Sequence, residues 1–242
     1  MSLIPQPDPE GLLLIDKPQG MTSHDVVYRV RRKLQTKRVG HAGTLDPMAT
    51  GLLVILVGKA TKASQYLMGA DKVYEGTARL GVTTNSQDAD GEVMETQPVP
   101  AYTTAQIDEA MNSFLGDQYQ TPPMFSAIKV DGVPLYKLAR KGEEIEREPR
   151  FIRISKLENL GFTSPDLSFR MFCTKGTYVR TFAHDLGRKL GCGAHLCALR
   201  RISSGELNVG DAVALDEFDK LPLIEARARL VPVAGSVPLH HR

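Results

Sequence analysis

From Gly51 to Gly58 the chain reads GLLVILVG, with six aliphatic residues in succession, Leu52 to Val57, and a glycine at each end. A run of that length without alternation suits a strand covered on both faces, because a strand with one wet face places a polar residue at every second position. The fold must therefore supply apolar cover on two sides of this segment. The run is far short of the ~20 residues that span a bilayer. The opening MSLIPQPDPE has neither a basic n-region nor an apolar h-region, so no membrane or secretory segment is expected. Three cysteines, Cys173, Cys192 and Cys197, are an odd number with no framework density, which fits a reducing cytoplasm. With 242 residues, 42% of them hydrophobic, the chain can bury one substantial core, and a single domain over residues 1–242 is expected.

The surrounding pattern mixes periods. GLLLIDK, from Gly11, reads as a second buried strand, and TSHDVVYRVRRKLQT reads as a helix capped by Thr22 or Ser23, with Val26, Val27, Val30 and Leu34 as its apolar stripe. Residues 38–51 then read as a loop, and KATKASQYLMG as a short helix after the long apolar strand. In KVYEGTARLGVTT, Tyr74, Ala78 and Leu80 fall on one side and Glu75, Thr77 and Arg79 on the other, which predicts a strand with Tyr74 on the core side. TAQIDEAMNSFLG is a helix with a threonine cap and a glycine stop. SAIKVDGVPLYKLARKG predicts a strand, an Asp131-Gly132 turn and a short basic helix. FIRISKLENLGF and LSFRMFCTKG follow as strands, TYVRTFAHDLGRKLG as a helix and AHLCALRRIS as a last strand. Helices and hairpin-like strand pairs without strict alternation favour an α+β fold with a mixed, mostly antiparallel sheet.

Charge is distributed unevenly. Net charge is +2, but residues 26–70 carry eight lysines and arginines against one acid, Asp46, leaving 22 basic and 27 acidic residues elsewhere. A local positive surface suits a phosphate-rich partner. Asp46 sits in RVGHAGTLDPMATG, before a proline and five positions after His41. An aspartate there can be a turn former, bonding its side chain to local amides. It can also be an ionised carboxylate in a cationic cleft, serving as nucleophile or base, with the glycines letting a substrate backbone approach.

Three other clusters invite functional readings. Cys192, His195 and Cys197 resemble metal ligands, but Cys192 belongs to a glycine-rich turn and no further Cys/His pair completes a four-ligand site, so small buried residues are the better reading. DADGE, Asp88 to Glu92, lacks the remainder of a calcium loop and reads as a turn. In CTKGTYVRTFAHDLG, Tyr178 and Phe182 can be core residues and Arg180 a solvated charge, or Arg180 can hold a carboxylate and Tyr178 pack on a base. Periodicity does not choose between these.

Taken in order, GLLLIDKPQGMTS, VGHAGTLDPMATGLL, ATKASQYL, DKVYEGTARLG, NSQDADGE, PPMFSAIKVDGVPLYKLARKG, CTKGTYVRTFAHDLG and LGCGAHLCALRRISSG resemble the bacterial TruB-type tRNA pseudouridine synthases over about residues 11–205. The resemblance implies the pseudouridine synthase fold and isomerisation of the uridine at position 55 of the tRNA T loop. The base is detached from C1′ after flipping out and rejoined through C5, with no cofactor and no metal. It assigns the essential carboxylate to Asp46, the tyrosine that stacks on the base and takes the C5 proton to Tyr74, and the arginine that holds the catalytic carboxylate to Arg180. Tyr178 and Leu199 would line the uracil pocket, His41 would support the opened T loop, and Lys17 with Pro18 would form an architectural strand end beside the pocket. Residues 122–150 correspond to an insertion that closes over the RNA, with Lys137, Arg140 and Lys141 suited to phosphates. The basic helix near Arg31 to Lys33 would anchor further phosphates. Relatives commonly continue into a PUA domain. This chain shows no complete PUA domain, only a tail over about 222–242, so RNA affinity is expected to rest on the T-arm contacts alone; a monomer is also expected. A non-catalytic RNA-binding or tRNA-folding protein using the same basic cleft is the alternative. A guide-RNA-dependent relative is disfavoured, because such proteins normally keep the PUA domain.

Overall fold

The computed structural model describes residues 8–233; the start of MSLIPQPDPE and residues 234–242 of the expected tail lie outside the described residues. In chain order the elements are β1 (Gly11–Lys17), α1 (Ser23–Leu34), β2 (Val39–His41), β3 (Thr50–Val57), α2 (Ser64–Met68), β4 (Lys72–Leu80), β5 (Val82–Thr84), β6 (Val93–Thr96), α3 (Thr104–Asn112) and β7 (Gly116–Gln120). There follow β8 (Lys129–Val130), β9 (Val133–Pro134), α4 (Leu135–Ala139), β10 (Arg150–Thr163), β11 (Asp166–Cys173), α5 (Val179–Leu190), β12 (Ala194–Ser204), β13 (Leu207–Asn208), β14 (Val213–Ala214), α6 (Leu215–Lys220) and α7 (Leu223–Ala228). The chain forms two compact units, one made of the residues up to Lys72 and those from Arg200 onward, the other of Val73–Leu199. Among the described residues no helix is long and apolar enough to cross a membrane.

In the first unit the strands run β14-β1-β3-β12. The apolar run Leu52 to Val57 is β3 and is buried throughout, as its lack of alternation requires. One face joins Leu12, Leu14, Leu52, Val54 and Leu56 with Ala60 and Leu67 in a single cluster. Leu13, Ile15, Leu53 and Ile55 are buried on the other face. β1 runs antiparallel along the whole of β3, from Gly11 opposite Val57 to Lys17 opposite Gly51. The second edge of β3 is shared. Its C-terminal half pairs with β2, His41 opposite Ile55, and its N-terminal end pairs parallel with β12, Arg201 opposite Gly51. Residues 42–49 leave the sheet between these two partners. Only glycine serves at position 51, since φ is +95° and an added Cβ would collide with the Arg201 backbone.

Two local expectations are corrected in this unit. The stretch read wholly as a loop opens with β2, too short for a period-2 signal but paired through three residues. The helix after β3 begins as a 3-10 turn, Gly58–Ala63, before α2.

The second unit orders its strands β12-β4-β11-β10-β7, with β10 antiparallel to both β11 and β7. In β4, Gly76, Ala78 and Leu80 are buried while Arg79 is exposed. Tyr74 shares the parity of the buried set and is half-buried, as the alternation predicts. Phe169 of β11 and Phe182 of α5 meet edge-on at 5.1 Å between centroids, and Phe114 packs against Phe182 at 5.3 Å. Within residues 122–150, β8 and β9 form a hairpin whose turn places Asp131 and Gly132 at φ +50° and +80°, the primed geometry that matches strand twist. Antiparallel pairing dominates, β14 with β1 and β12 with β3 pair parallel, and helices accompany strands in both units. The α+β class and the mixed sheet are thus as expected.

Candidate active site

Asp46 lies half-buried in the 42–49 loop of the first unit, and the main chain around it is clamped from several directions. Arg201, 1% exposed, spreads its guanidinium over loop carbonyls, donating to Leu52 O at 2.7 Å, Gly43 O at 3.1 Å and Thr44 O at 3.5 Å. The rigid fork of an arginine can serve three divergent acceptors at once. On the other side of Asp46, Pro47 O accepts from Gly20 N at 2.8 Å and from Lys17 Nζ at 3.4 Å. A tight turn closes the loop, with Ala49 N donating to Asp46 O at 3.1 Å. Two buried cations and a backbone amide therefore hold residues on either side of the carboxylate through main-chain oxygens.

Lys17 is fully buried, and its three donors go to Pro18 O at 2.9 Å, Met21 O at 2.6 Å and Pro47 O at 3.4 Å. Burial pulls its pKa down to about 8 against the opposing pull of Asp46. All three of its contacts are thus to backbone oxygens of the chain itself. His41, at the end of β2, has its pKa lowered by burial, by His24 and by Arg201, so it is held neutral below the usual imidazole range. Its Nδ1 is buried with no protein partner.

In the second unit Arg180 stands in the first turn of α5 and is 4% exposed. Its guanidinium lies 3.3 Å from Asp88 and donates to Ser86 O at 3.0 Å and Phe125 O at 2.8 Å. A buried arginine kept charged needs such an acidic and carbonyl setting. Asp88 belongs to the stretch read as a polar turn. It is 5% exposed, and its backbone neighbours pair with β12, Ala89 N donating to Leu196 O at 3.0 Å. Tyr178 is the N-cap residue of α5, but its phenol does no capping. Gln120 instead grips the Tyr178 backbone at two points, accepting from its N–H at 2.8 Å and donating to its carbonyl at 3.1 Å. Leu199 is buried on β12.

The expected residues thus divide: Lys17, His41 and Asp46 belong to the first unit, and Tyr74, Tyr178, Arg180 and Leu199 to the second. Sequence reading gave Asp88 only a place in a turn and passed over Gln120 and Arg201. Arg201 alone left a trace, as a charge at the same strand parity as Leu199 where an apolar residue is the rule. His195 Nδ1 hydrogen-bonds the Val82 carbonyl at 2.9 Å, and among the described residues no three His, Cys, Asp or Glu side chains converge as a metal site.

A mixed, largely antiparallel sheet with flanking helices is the architecture of the pseudouridine synthase fold. The chain aligns over 93% of its length with 60% of a chain in the crystal structure of a Cbf5-Nop10-Gar1 complex, at TM-score 0.73 and 28% identity. A second alignment, to the archaeal box H/ACA sRNP Nop10-Cbf5 complex, covers 94% of this chain and 62% of that one at TM-score 0.69 and 25% identity. Residues 31–179 match the N-terminal domain of TruB family pseudouridylate synthases, and residues 180–231 match the tRNA pseudouridylate synthase B C-terminal domain. The chain belongs to the TruB family. It is 63% identical over 234 residues to the tRNA pseudouridine synthase B of Opitutus terrae, covering 97% of both chains. To the protein of the same name from Syntrophotalea carbinolica it is 51% identical, covering 94% of this chain and 74% of that one.

Proposed function

We propose that this protein is a tRNA pseudouridine synthase that isomerises the T-loop uridine at position 55. The observation that carries this reading is the near-full-length match to a tRNA pseudouridine synthase B at 63% identity. Asp46 is the catalytic carboxylate. The target base leaves its stack, at a cost of about a few kcal/mol, and the C1′–N1 bond breaks. The detached uracil turns to bring C5 to C1′, and the C1′–C5 bond forms. C5 then loses its proton through Tyr74 to solvent, and N1, which kept the electron pair of the broken C1′–N1 bond, takes one proton from solvent, so the product has the atoms of the substrate. Tyr178 and Leu199 line the uracil pocket, His41 supports the opened loop, and Arg180 is the buried cation of the site. Lys137, Arg140 and Lys141 of residues 122–150 contact phosphates, and the protein grips the T-arm as a monomer.

The clamped backbone on both sides of Asp46 supports this reading. A turn-forming aspartate needs no such scaffold, whereas a reacting carboxylate gains rate from being held in place. The test mixes the protein with an unmodified T-arm stem-loop, with no added cofactor, and detects pseudouridine as its carbodiimide adduct. Wild type converts one uridine; Asp46→Asn binds the RNA and converts none. Full turnover by Asp46→Asn would falsify the mechanism. Binding without conversion by wild type would instead favour a tRNA-folding protein.

A further inference from the structure

The first turn of α1 carries a hydroxyl that the helix does not use. Capping is complete without it: Thr22 Oγ1 accepts from Asp25 N at 3.1 Å, and the Asp25 carboxylate accepts from Thr22 N at 2.9 Å, a reciprocal capping box. Ser23, next in sequence and 1% exposed, turns its hydroxyl onto the loop that carries Asp46. Its Oγ accepts from Leu45 N at 2.9 Å and donates to Leu45 O at 3.1 Å. One hydroxyl thus satisfies both polar groups of the residue immediately before Asp46. The following residue, His24, is exposed but sets its ring against His41, with centroids 5.4 Å apart and planes at 86°. Because His41 Nδ1 has no protein hydrogen-bond partner, ring packing rather than a hydrogen bond on that atom orients the imidazole.

We propose that Ser23 and His24 are positioning residues for the reaction, Ser23 fixing the main chain at Leu45 beside the catalytic carboxylate and His24 setting the ring plane of His41. Adjacent positions of one rigid helical turn thereby hold the two ends of the segment from His41 to Asp46. This rests on the reading of Asp46 as the catalytic group. Neither side chain is assigned contact with the RNA, so the loss of Ser23 acts on rate, and the loss of His24, felt through the His41 ring, acts on rate more than on affinity.

The test compares wild type, Ser23→Ala, His24→Ala, His24→Phe and Asp46→Asn in single-turnover conversion of a T-arm stem-loop, with RNA Kd and the urea midpoint measured for each. Ser23→Ala and His24→Ala slow conversion by roughly 10- to 100-fold, the scale of a sub-ångström to ångström misplacement, with Kd within about twofold of wild type. His24→Phe keeps an aromatic edge against His41 and recovers most of the rate. Wild-type rates in Ser23→Ala and His24→Ala, with Asp46→Asn inactive, overturn the proposal. Loss of Kd in proportion to rate overturns it too, as does a His24→Phe protein as slow as His24→Ala, since an imidazole that touches RNA is not replaced by phenyl. If Ser23→Ala fails to fold, the exposed His24 pair still decides. Full turnover by Asp46→Asn overturns the underlying assignment instead.

Discussion

At the scale of single residues, two of the buried cations are committed to the backbone, while Arg180 also pairs with an acid, Asp88. Arg201 and Lys17 bond main-chain oxygens on both sides of Asp46, so their charge and their geometry both matter. Arg201→Lys keeps the charge but not the fork, and one ammonium cannot reach all three carbonyls. Urea unfolding is expected to show a loss of about 2 kcal/mol, from carbonyls left without donors; a change under about 0.5 kcal/mol would mean that the fork is not needed. His41 gives a pH signature. In the unfolded chain it takes up a proton near 6.5, and in the folded chain only below that. The unfolded state therefore binds more protons, and the stability contribution, fully present above 6.5, is lost as pH falls through the folded pKa. The difference in urea midpoint between wild type and His41→Gln should shift against wild type between pH 7.5 and 5.5, and a pH-independent difference would contradict the assignment.

At the scale of elements, α1 divides its basic residues between structure and surface. Arg29 bonds Asp216 at 2.9 Å and Asp219 through its Nε at 2.6 Å, both on α6. Lys33 donates to Asp219 O at 2.7 Å, and Arg31 to Val39 O at 3.2 Å. The expectation that the helix near Arg31 to Lys33 anchors phosphates is narrowed accordingly, because two of those three cations bond the protein itself. Arg32 is exposed, as is Lys37 just beyond the helix. Arg29→Ala is expected to lower stability by roughly 1 kcal/mol while leaving the salt slope of RNA binding unchanged. Arg32→Ala with Lys37→Ala should leave stability within about 0.5 kcal/mol and reduce that slope by up to about 1 for each phosphate no longer engaged. The reverse pattern would place the RNA on the other side of the helix. In the second unit, α5 and β12 approach so closely that a Cβ on Gly187 would strike the backbone of Gly193 and Ala194. A glycine inside a helix, otherwise a weakness, is there the condition for the close approach.

At the scale of the whole molecule, a net charge of +2 conceals a segment of +7, and in the proposed function RNA is met by cations of that segment together with Lys137, Arg140 and Lys141. RNA affinity should therefore fall linearly in log–log form with salt, by about 0.7 per phosphate engaged on single-stranded stretches; a flat dependence between 50 and 200 mM salt would remove the electrostatic basis of binding. The longer strands and most helices were legible because their signals are local: an unbroken apolar run for β3, alternation for β4, capping residues for α1 and α3; the short strands β2, β6, β7, β13 and β14 carry too few residues for a period to show. The resemblance marked Asp46, Tyr74 and Arg180 for the same reason, since each stands in a short motif. Asp88, Gln120 and Arg201 were not legible, because their roles depend on partners far away in sequence: Asp88 on Arg180, Gln120 on Tyr178, Arg201 on Gly43, Thr44 and Leu52. Even the choice between Thr22 and Ser23 as cap needed the structure, where Ser23 is taken by Leu45. By itself the sequence determined the α+β class, the family and the candidate carboxylate, through patterns read within a few residues. Tertiary structure alone decided which cations support backbone and which face solvent, because a charge at a core parity marks Arg201 as unusual but does not name a hydrogen-bond partner about 150 positions away.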